Sequence, residues 1–408
     1  MKTIASNTIV FSWRYLWSRP LAAALNLLLL TLGLASITFL LLVSHQISQA
    51  FERDVAGIDV VVGAKGSPMQ LILSGVFHLD VPTGNVPLAA VKALEANPQV
   101  ATVIPISLGD SFRGYRIVGT TPDYISHYDA QLAQGTLWAR PMQAVVGAQV
   151  ARQTGLKVGD SFAGTHGLGG NGGGGEEHKL SPYVVSGILA ESHTVLDRLV
   201  LTSTESVWQV HETDTALDDD DRKVLEEDRE ITLALIQYKS PLAAVTFPRY
   251  INSSTEMQAA APALEITRLL SMVGVGTDVL RALAGVLLLT AGLSVFIALW
   301  GAVRERRADL ALLRMLGAPP AKVAGLLLCE ALWLALLATV LGVLAGQGLT
   351  ALLAWALQLE KSVLIGALSW PVELVSVPVL AFGVALASAL LPAWEAYRVS
   401  VFELLQSR

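Results

Sequence analysis

Two long apolar stretches near the carboxyl end, held apart by a short cluster of charge, restrict this chain to a membrane architecture. Residues 283–303 and 323–347 each reach the roughly 20 apolar residues needed to cross a bilayer. Between them lie Arg304, Glu305, Arg306, Arg307, Asp309 and Arg314, followed by Gly317 and Pro319-Pro320. With Lys322, this linker sets five cationic side chains beside membrane ends, which places it on the inner side. The Leu-rich half from Leu310 to Leu316 reads as a helix, and the glycine and proline pair stop it. A short helix hung between two spans can act as a lever.

Two more stretches meet the same length criterion, 21–43 and 372–394. Only 15% of residues are charged, well under the roughly 25% of soluble domains. The first apolar run is preceded by Lys2, Arg14 and Arg19, but it is too long for a secretion-signal core and reads as a retained signal-anchor. Charge then orients the chain. Residues 44–278 carry 27 acidic and 16 basic side chains, net −11, while the remainder is net +5. Both termini are therefore expected in the cytoplasm, with 44–278 outside the cell membrane. The expected order is an interfacial segment 1–20, a span 21–43, the outer domain 44–278 and a span 281–303. A linker helix 304–320, a span 323–347, an outer loop 348–371, a span 372–394 and a cytoplasmic tail 395–408 complete the chain. The fold class is thus a four-helix membrane protein with a large α+β extracytoplasmic domain inserted between the first and second spans.

Within the outer domain, 58–62, 100–106, 144–147, 183–189, 199–201 and 231–238 are β-branched or alternating runs expected as strands; 111–119 alternates loosely. Segments 87–96 and 147–155 read as helices. From 44 to 54 the first span is expected to continue as a polar stalk. A helix over 262–273 leads toward the second span, with Gly274 and Gly276 interrupting it and Asp278 capping the span itself. Two tracts, 167–175 (nearly all Gly) and the acidic run from Asp218 to Glu230, cannot bury a core and read as surface loops. The one cysteine, Cys329, falls inside the third span, so no intrachain disulfide is available.

Chemistry-bearing motifs are sparse. Gly63-Ala64-Lys65-Gly66-Ser67 resembles a phosphate loop superficially, but its glycine spacing is wrong and it lies outside. The Gly-rich tract neither follows a strand nor opens a helix. No nucleophile elbow or metalloprotease motif is present, so no catalytic residue is assigned and the chain is not read as an enzyme. ATP and Mg²⁺, if used, belong to another chain, and this one is expected to bind no cofactor. The seven histidines, His45, His78, His127, His166, His178, His193 and His211, all fall in the outer domain. Glu176, Glu177 and His178 form the densest ligand-type cluster, yet no spacing sets two ligands on one helix face, and no metal site is assigned. In the third span, Glu330 is an intramembrane carboxylate; structural pairing near the inner interface explains it better than ion transport. Gly342-x-x-x-Gly346 would let helices approach closely.

Taken together, the linker Arg304-x-Arg306-x-x-Asp309-Leu310-x-Leu312-Leu313-Arg314-x-Leu316-Gly317-Ala318 resembles the coupling-helix signature of the MacB/FtsX/LolC-LolE permeases, the type VII ABC transporter superfamily. Three further places carry the resemblance. Glu330 stands where such permeases have a Glu. Leu391-Pro392-Ala393-Trp394-x-Ala396 is similar to their ending. Val146-Gly147-x-x-Val150-Ala151-x-x-x-Gly155-Leu156-x-Val158-Gly159-Asp160 is similar to their outer-domain element. The resemblance implies a stand-alone permease, without a fused ATPase domain, that pairs with a second permease copy as a homodimer or heterodimer. It implies two cytoplasmic ABC ATPase subunits as partners, in addition to membrane lipid and a periplasmic adaptor or substrate protein; nucleic acid is not expected. The coupling residues it implies are Arg304, Glu305, Arg306, Asp309, Leu310, Leu313, Arg314, Leu316 and Gly317. The implied action is mechanotransmission in the inner membrane: ATPase closure moves the spans and the outer domain, for export or extraction of lipoprotein, peptide or amphiphile. Two alternatives stay open, a signalling scaffold that activates an extracytoplasmic hydrolase, and a membrane-anchored zinc-handling module.

Overall fold

The computed structural model describes residues 2–167, 181–215, 228–359 and 369–398. The chain divides into two compact bodies. The first comprises Met1–Ile47, Met272–Leu357 and Ile365–Arg408; the second is essentially Ser48–Ser271. Both Gly167–Gly175 beyond its first residue and the acidic run up to 227 lie outside the described residues.

Helices account for the first body. α1 (Lys2–Leu16) ends at a break before Pro20, which opens α2 (Pro20–Val55) from the first helical position, where its missing N–H is not needed. Among the described residues, four helices are long and apolar enough to cross a membrane: α2, a helix over Pro262–Glu305, another from Pro320, and the segment Val372–Arg398. Small residues let them approach. In the last helix, Val377, Ala381, Ala385, Ala389, Ala393 and Ala396 recur near every fourth position and are buried. Lipid supplies no hydrophobic drive between helices, so close contact and hydrogen bonds have to hold them. Gly342 and Gly346 meet that need: a Cβ on Gly342 would lie 2.7 Å from Leu34 Cβ, and one on Gly346 2.5 Å from Thr38 Cγ2. Ser294 Oγ donates to Asn26 Oδ1 at 2.6 Å, and Ser388 Oγ to the Gly292 carbonyl at 2.8 Å.

The second body is built on one 11-stranded sheet. Its strands are β1 (Val60–Ala64), β3 (Val100–Phe112), β4 (Tyr115–Thr120), β5 (Leu132–Gly135), β6 (Gln143–Val146), β7 (Ser161–Phe162), β8 (Thr165–His166), β9 (Tyr183–Leu189), β10 (Val200–Ser203), β12 (Leu233–Tyr238) and β13 (Met257–Ala260). β2 (Val86–Pro87) and β11 (Glu230–Ile231) pair separately. The path runs β13-β1-β12-β3-β4-β10-β6-β9-β5, with β7 added on β9 and β8 on β3. β1 carries three consecutive valines, Val60 to Val62, all fully buried, because both faces of the sheet are covered. The long β3 pairs with β12 through its first half and with β4 through its second. Around the sheet sit α3 (Pro68–Gly75), α4 (Leu88–Glu95), α5 (Asp123–His127), α6 (Ala148–Thr154), α7 (Thr204–Thr215) and α8 (Ala243–Ser254).

Three expectations are corrected here. The helix over 262–273 does not stop at the glycines: α9 runs unbroken over Pro262–Glu305. A glycine inside a helix costs about 1 kcal/mol, which the long apolar run following Asp278 outweighs. The linker helix is shorter than 304–320, since Arg304 and Glu305 close α9 and α10 is Arg307–Met315. The segment from 348, expected as loop, opens as helix, because the apolar run carries α11 (Pro320–Leu359) past Gly346 and Gly348. A 3₁₀ turn over Val372–Val375 then leads into α12 (Ser376–Arg398).

Candidate functional site

The linker is a built turn-helix-turn. Arg306 N–H donates to the Ala302 carbonyl at 3.1 Å and its own carbonyl accepts the Leu310 amide at 2.9 Å, so it ends one helix and starts the next. At the far end, the Gly317 amide bonds the Arg314 carbonyl and the Ala318 amide the Leu313 carbonyl, both at 3.0 Å. That pair is a Schellman motif, and it needs the left-handed φ of +95° that Gly317 supplies. Asp309 lies exposed in the first turn, where the helix dipole favours a carboxylate.

Charged contacts tie α10 to the membrane body. The Arg306 guanidinium lies 4.5 Å over the Tyr15 ring and donates to Ser18 Oγ. Arg19 pairs with Glu305, and Arg307 reaches Glu395 at 3.4 Å. Arg304 lies 5.9 Å over the Trp300 ring. Arg306 also shares two small cavities, about 20 and 60 Å³, with Glu330; Arg19 and Asn26 line the larger. Glu330 thus faces the cationic end of the linker rather than lipid alone.

The apolar residues of the linker divide by face. Leu310 and Ala311 are buried, Leu313 and Arg314 are half-buried, and Leu312, Met315 and Leu316 are 54%, 56% and 78% exposed. Of the expected coupling residues, Leu310 therefore packs inward and Leu316 faces out. Leu312 and Met315, outside the candidate set, complete the exposed stripe; their i, i+3, i+4 spacing with Leu316 was the readable signal.

In the outer body, His78 is buried with Nε2 3.1 Å from the Tyr124 hydroxyl, and burial, helped by Arg116 and Arg198, pushes its pKa well down. Glu191, His193 and Asp197 bring ligand-type atoms within 4.8 Å of one another. Their carboxylates are already engaged: Glu191 takes both Arg152 nitrogens at 2.8 and 3.0 Å, while Asp197 accepts the Ser192 and His193 amides. These contacts close the turn from Ser192 to Asp197. Glu176, Glu177 and His178 lie outside the described residues.

Comparison with known families matches two domains in sequence: the MacB-like periplasmic core domain over residues 23–245 and the FtsX-like permease C-terminal domain over residues 281–401. Among solved structures, the periplasmic region of MacB from Actinobacillus actinomycetemcomitans is 10% identical, with a TM-score of 0.34, covering 53% of this chain and 95% of that one. The extracellular domain of the noncanonic ABC-type transporter YknZ from Gram-positive bacteria is also 10% identical, with a TM-score of 0.30, covering 49% of this chain and 98% of that one. No curated protein matches. Four apolar helices, with an α+β domain between the first and second, define a membrane-embedded permease with an extracytoplasmic domain. The chain belongs to the MacB/FtsX-like family of ABC transporter permeases.

Proposed function

We propose that this permease subunit couples ATP hydrolysis in a separate cytoplasmic ABC ATPase to movement of its own extracytoplasmic domain, acting as one half of a permease dimer. The observation that carries this reading is the exposed Leu312, Met315 and Leu316 stripe on α10. Exposed leucines beside a membrane normally face lipid, but this helix is short, ends in a Schellman turn and is flanked by arginines, which suits a protein groove better. Arg306, Arg307 and Arg19 hold its other side, so a push on the stripe would be passed to α1, α9 and α12 rather than absorbed by a loose loop. For cargo, lipoprotein, peptide or another amphiphile fits a device that works at the outer face.

The test is co-purification of the full chain from its own membranes, scored by ATP hydrolysis and by identification of the ATPase polypeptide. Leu316→Asp is expected to reduce recovered ATPase at least tenfold while the permease yield stays unchanged, since a carboxylate at a 78% exposed position costs the fold little. Full ATPase recovery with both Leu312→Asp and Leu316→Asp would refute docking through this stripe.

A further inference from the structure

A cavity of about 190 Å³ in the extracytoplasmic body is lined by Val81, Pro82, Gly109, Asp110, Arg116 and Gly167. Local folding explains its position. The β3–β4 pairing slips between Leu108 and Ser111, and Ser111 then faces Arg116 across the hairpin. Such a bulge bends the strand and re-aims the side chains around it. The Gly167 amide bonds the Gly109 carbonyl at 2.8 Å, closing the adjacent wall with main chain only.

Arg116 is 5% exposed, an unusual place for a guanidinium. Its Nη2 donates to the Asp80 carbonyl at 2.7 Å, and its Nε has no acceptor among the described residues. Among the described residues no carboxylate is hydrogen-bonded to it, and Asp80 acts on it through charge alone. Asp80 Oδ1 accepts the Val81 amide at 2.7 Å, and Asp110 faces His166 Nδ1 at 3.4 Å with both of its oxygens covered. Taking a cation from water without a bonded counter-ion costs several kcal/mol, so the site is incomplete as it stands. Burial accordingly pulls the Arg116 pKa down to about 10, with Asp80 offsetting only part of that.

We propose that this cavity binds a small organic carboxylate, its oxygens on the Arg116 guanidinium and its carbon chain against Val81 and Pro82. The planar fork of arginine matches a carboxylate through two parallel hydrogen bonds. A dianion such as phosphate is disfavoured, because a single arginine cannot neutralise two charges while Asp80 and Asp110 stand close by. The volume equals about six waters of liquid and is below the ~300 Å³ of sites for drug-sized ligands. It therefore admits a carboxylate with a short carbon chain, the end of an acyl chain or of a peptide. The site is independent of the coupling reading above.

The experiment is calorimetric titration of the full chain in lipid nanodiscs with hexanoate and with N-acetylvaline, each against its uncharged amide. Saturable binding of at least one acid, with its amide at least tenfold weaker, supports the site; hexanoate alone points to an acyl source and N-acetylvaline alone to a peptide terminus. Arg116→Met should abolish binding. Because that variant removes a buried side chain, Val81→Asp serves as the second: Val81 is 59% exposed, so the fold tolerates the change, while the new charge at the rim should weaken acid binding at least tenfold. Absence of binding at millimolar acid, equal binding of acids and amides, or unchanged binding in Val81→Asp would each overturn the proposal. So would saturable binding of inorganic phosphate in preference to either acid.

Discussion

Asp54 closes the last turn of α2, beyond the membrane span, with its polar atoms already committed. Its Oδ1 accepts the Val195 amide at 2.9 Å, and its carbonyl accepts the Tyr128 hydroxyl at 2.7 Å. Burial pushes its pKa up to about 6 from 3.8; Arg198 and Arg53 pull it down by less, and Asp197 adds to the rise. The folded state thus holds a proton that the unfolded chain has released between about pH 4 and 6. Stability falls as pH rises through that window, by about 3 kcal/mol at most. Asn at this position keeps the acceptor for Val195 and carries no charge. Asp54→Asn is expected to melt several degrees above the parent at pH 7 and alongside it only at about pH 3.5, below the unfolded value, in thermal scans of the full chain followed through extracytoplasmic fluorescence. A lower melting temperature for the variant at pH 7 would mean that attraction to Arg198 outweighs burial. Nothing near Asp54 in the sequence announces this: 44–54 reads as a solvated stalk, and the groups around its end, Tyr124, Tyr128, Val195 and Arg198, come from far along the chain.

At the scale of elements, glycines two residues apart on α11 do opposite things. A Cβ at Gly346 would meet Thr38 at 2.5 and 2.6 Å, so α2 and α11 touch through backbone there. At Gly348 nothing lies within 4 Å. Gly346→Ala should lower the stability of the detergent-solubilised chain by roughly 1–3 kcal/mol through overpacking. Gly348→Ala should be neutral or raise it by up to about 1 kcal/mol, because alanine is the better helix former. Equal effects of the two on the melting temperature would remove the close α2–α11 crossing from the account. Gly342-x-x-x-Gly346 was readable as a contact motif, but not its partner helix, since the spacing names a face and no more. The same limit holds in the sheet. Valines and alternation mark β1, β9 and β12 as strands close to their observed ends, but β3 only to 106, short of its end at Phe112, while the placement of β1 between β12 and β13 comes from chain nearly 200 residues away. Helix ends were legible where a steric signal exists, as at Gly317, and illegible where an apolar run overrides one, as at Gly274 and Gly276.

For the whole molecule, charge is the quantity that assigns each side of the membrane. Residues 44–278 are net −11 and the rest net +5, and the basic excess is concentrated at Arg14, Arg19, the 304–322 linker and Arg398. Placing these arginines on the trans side would oppose the insertion bias that sets topology in short loops. The α10 stripe has a docking role only on the side where ATP is available, so the orientation and the coupling mechanism stand or fall together. Cys329 is the single native thiol, and replacing it with alanine gives a background on which one new cysteine reports one position. In intact spheroplasts, a membrane-impermeant maleimide is expected to label Ala139→Cys, an exposed residue of the outer body. Leu316→Cys, 78% exposed, should be labelled only after permeabilisation. Labelling of Leu316→Cys from outside would place the linker where no cytoplasmic motor can reach it. The positive-inside argument, the proposed ATPase contact and the extracytoplasmic location of the Arg116 cavity would then all have to be reversed.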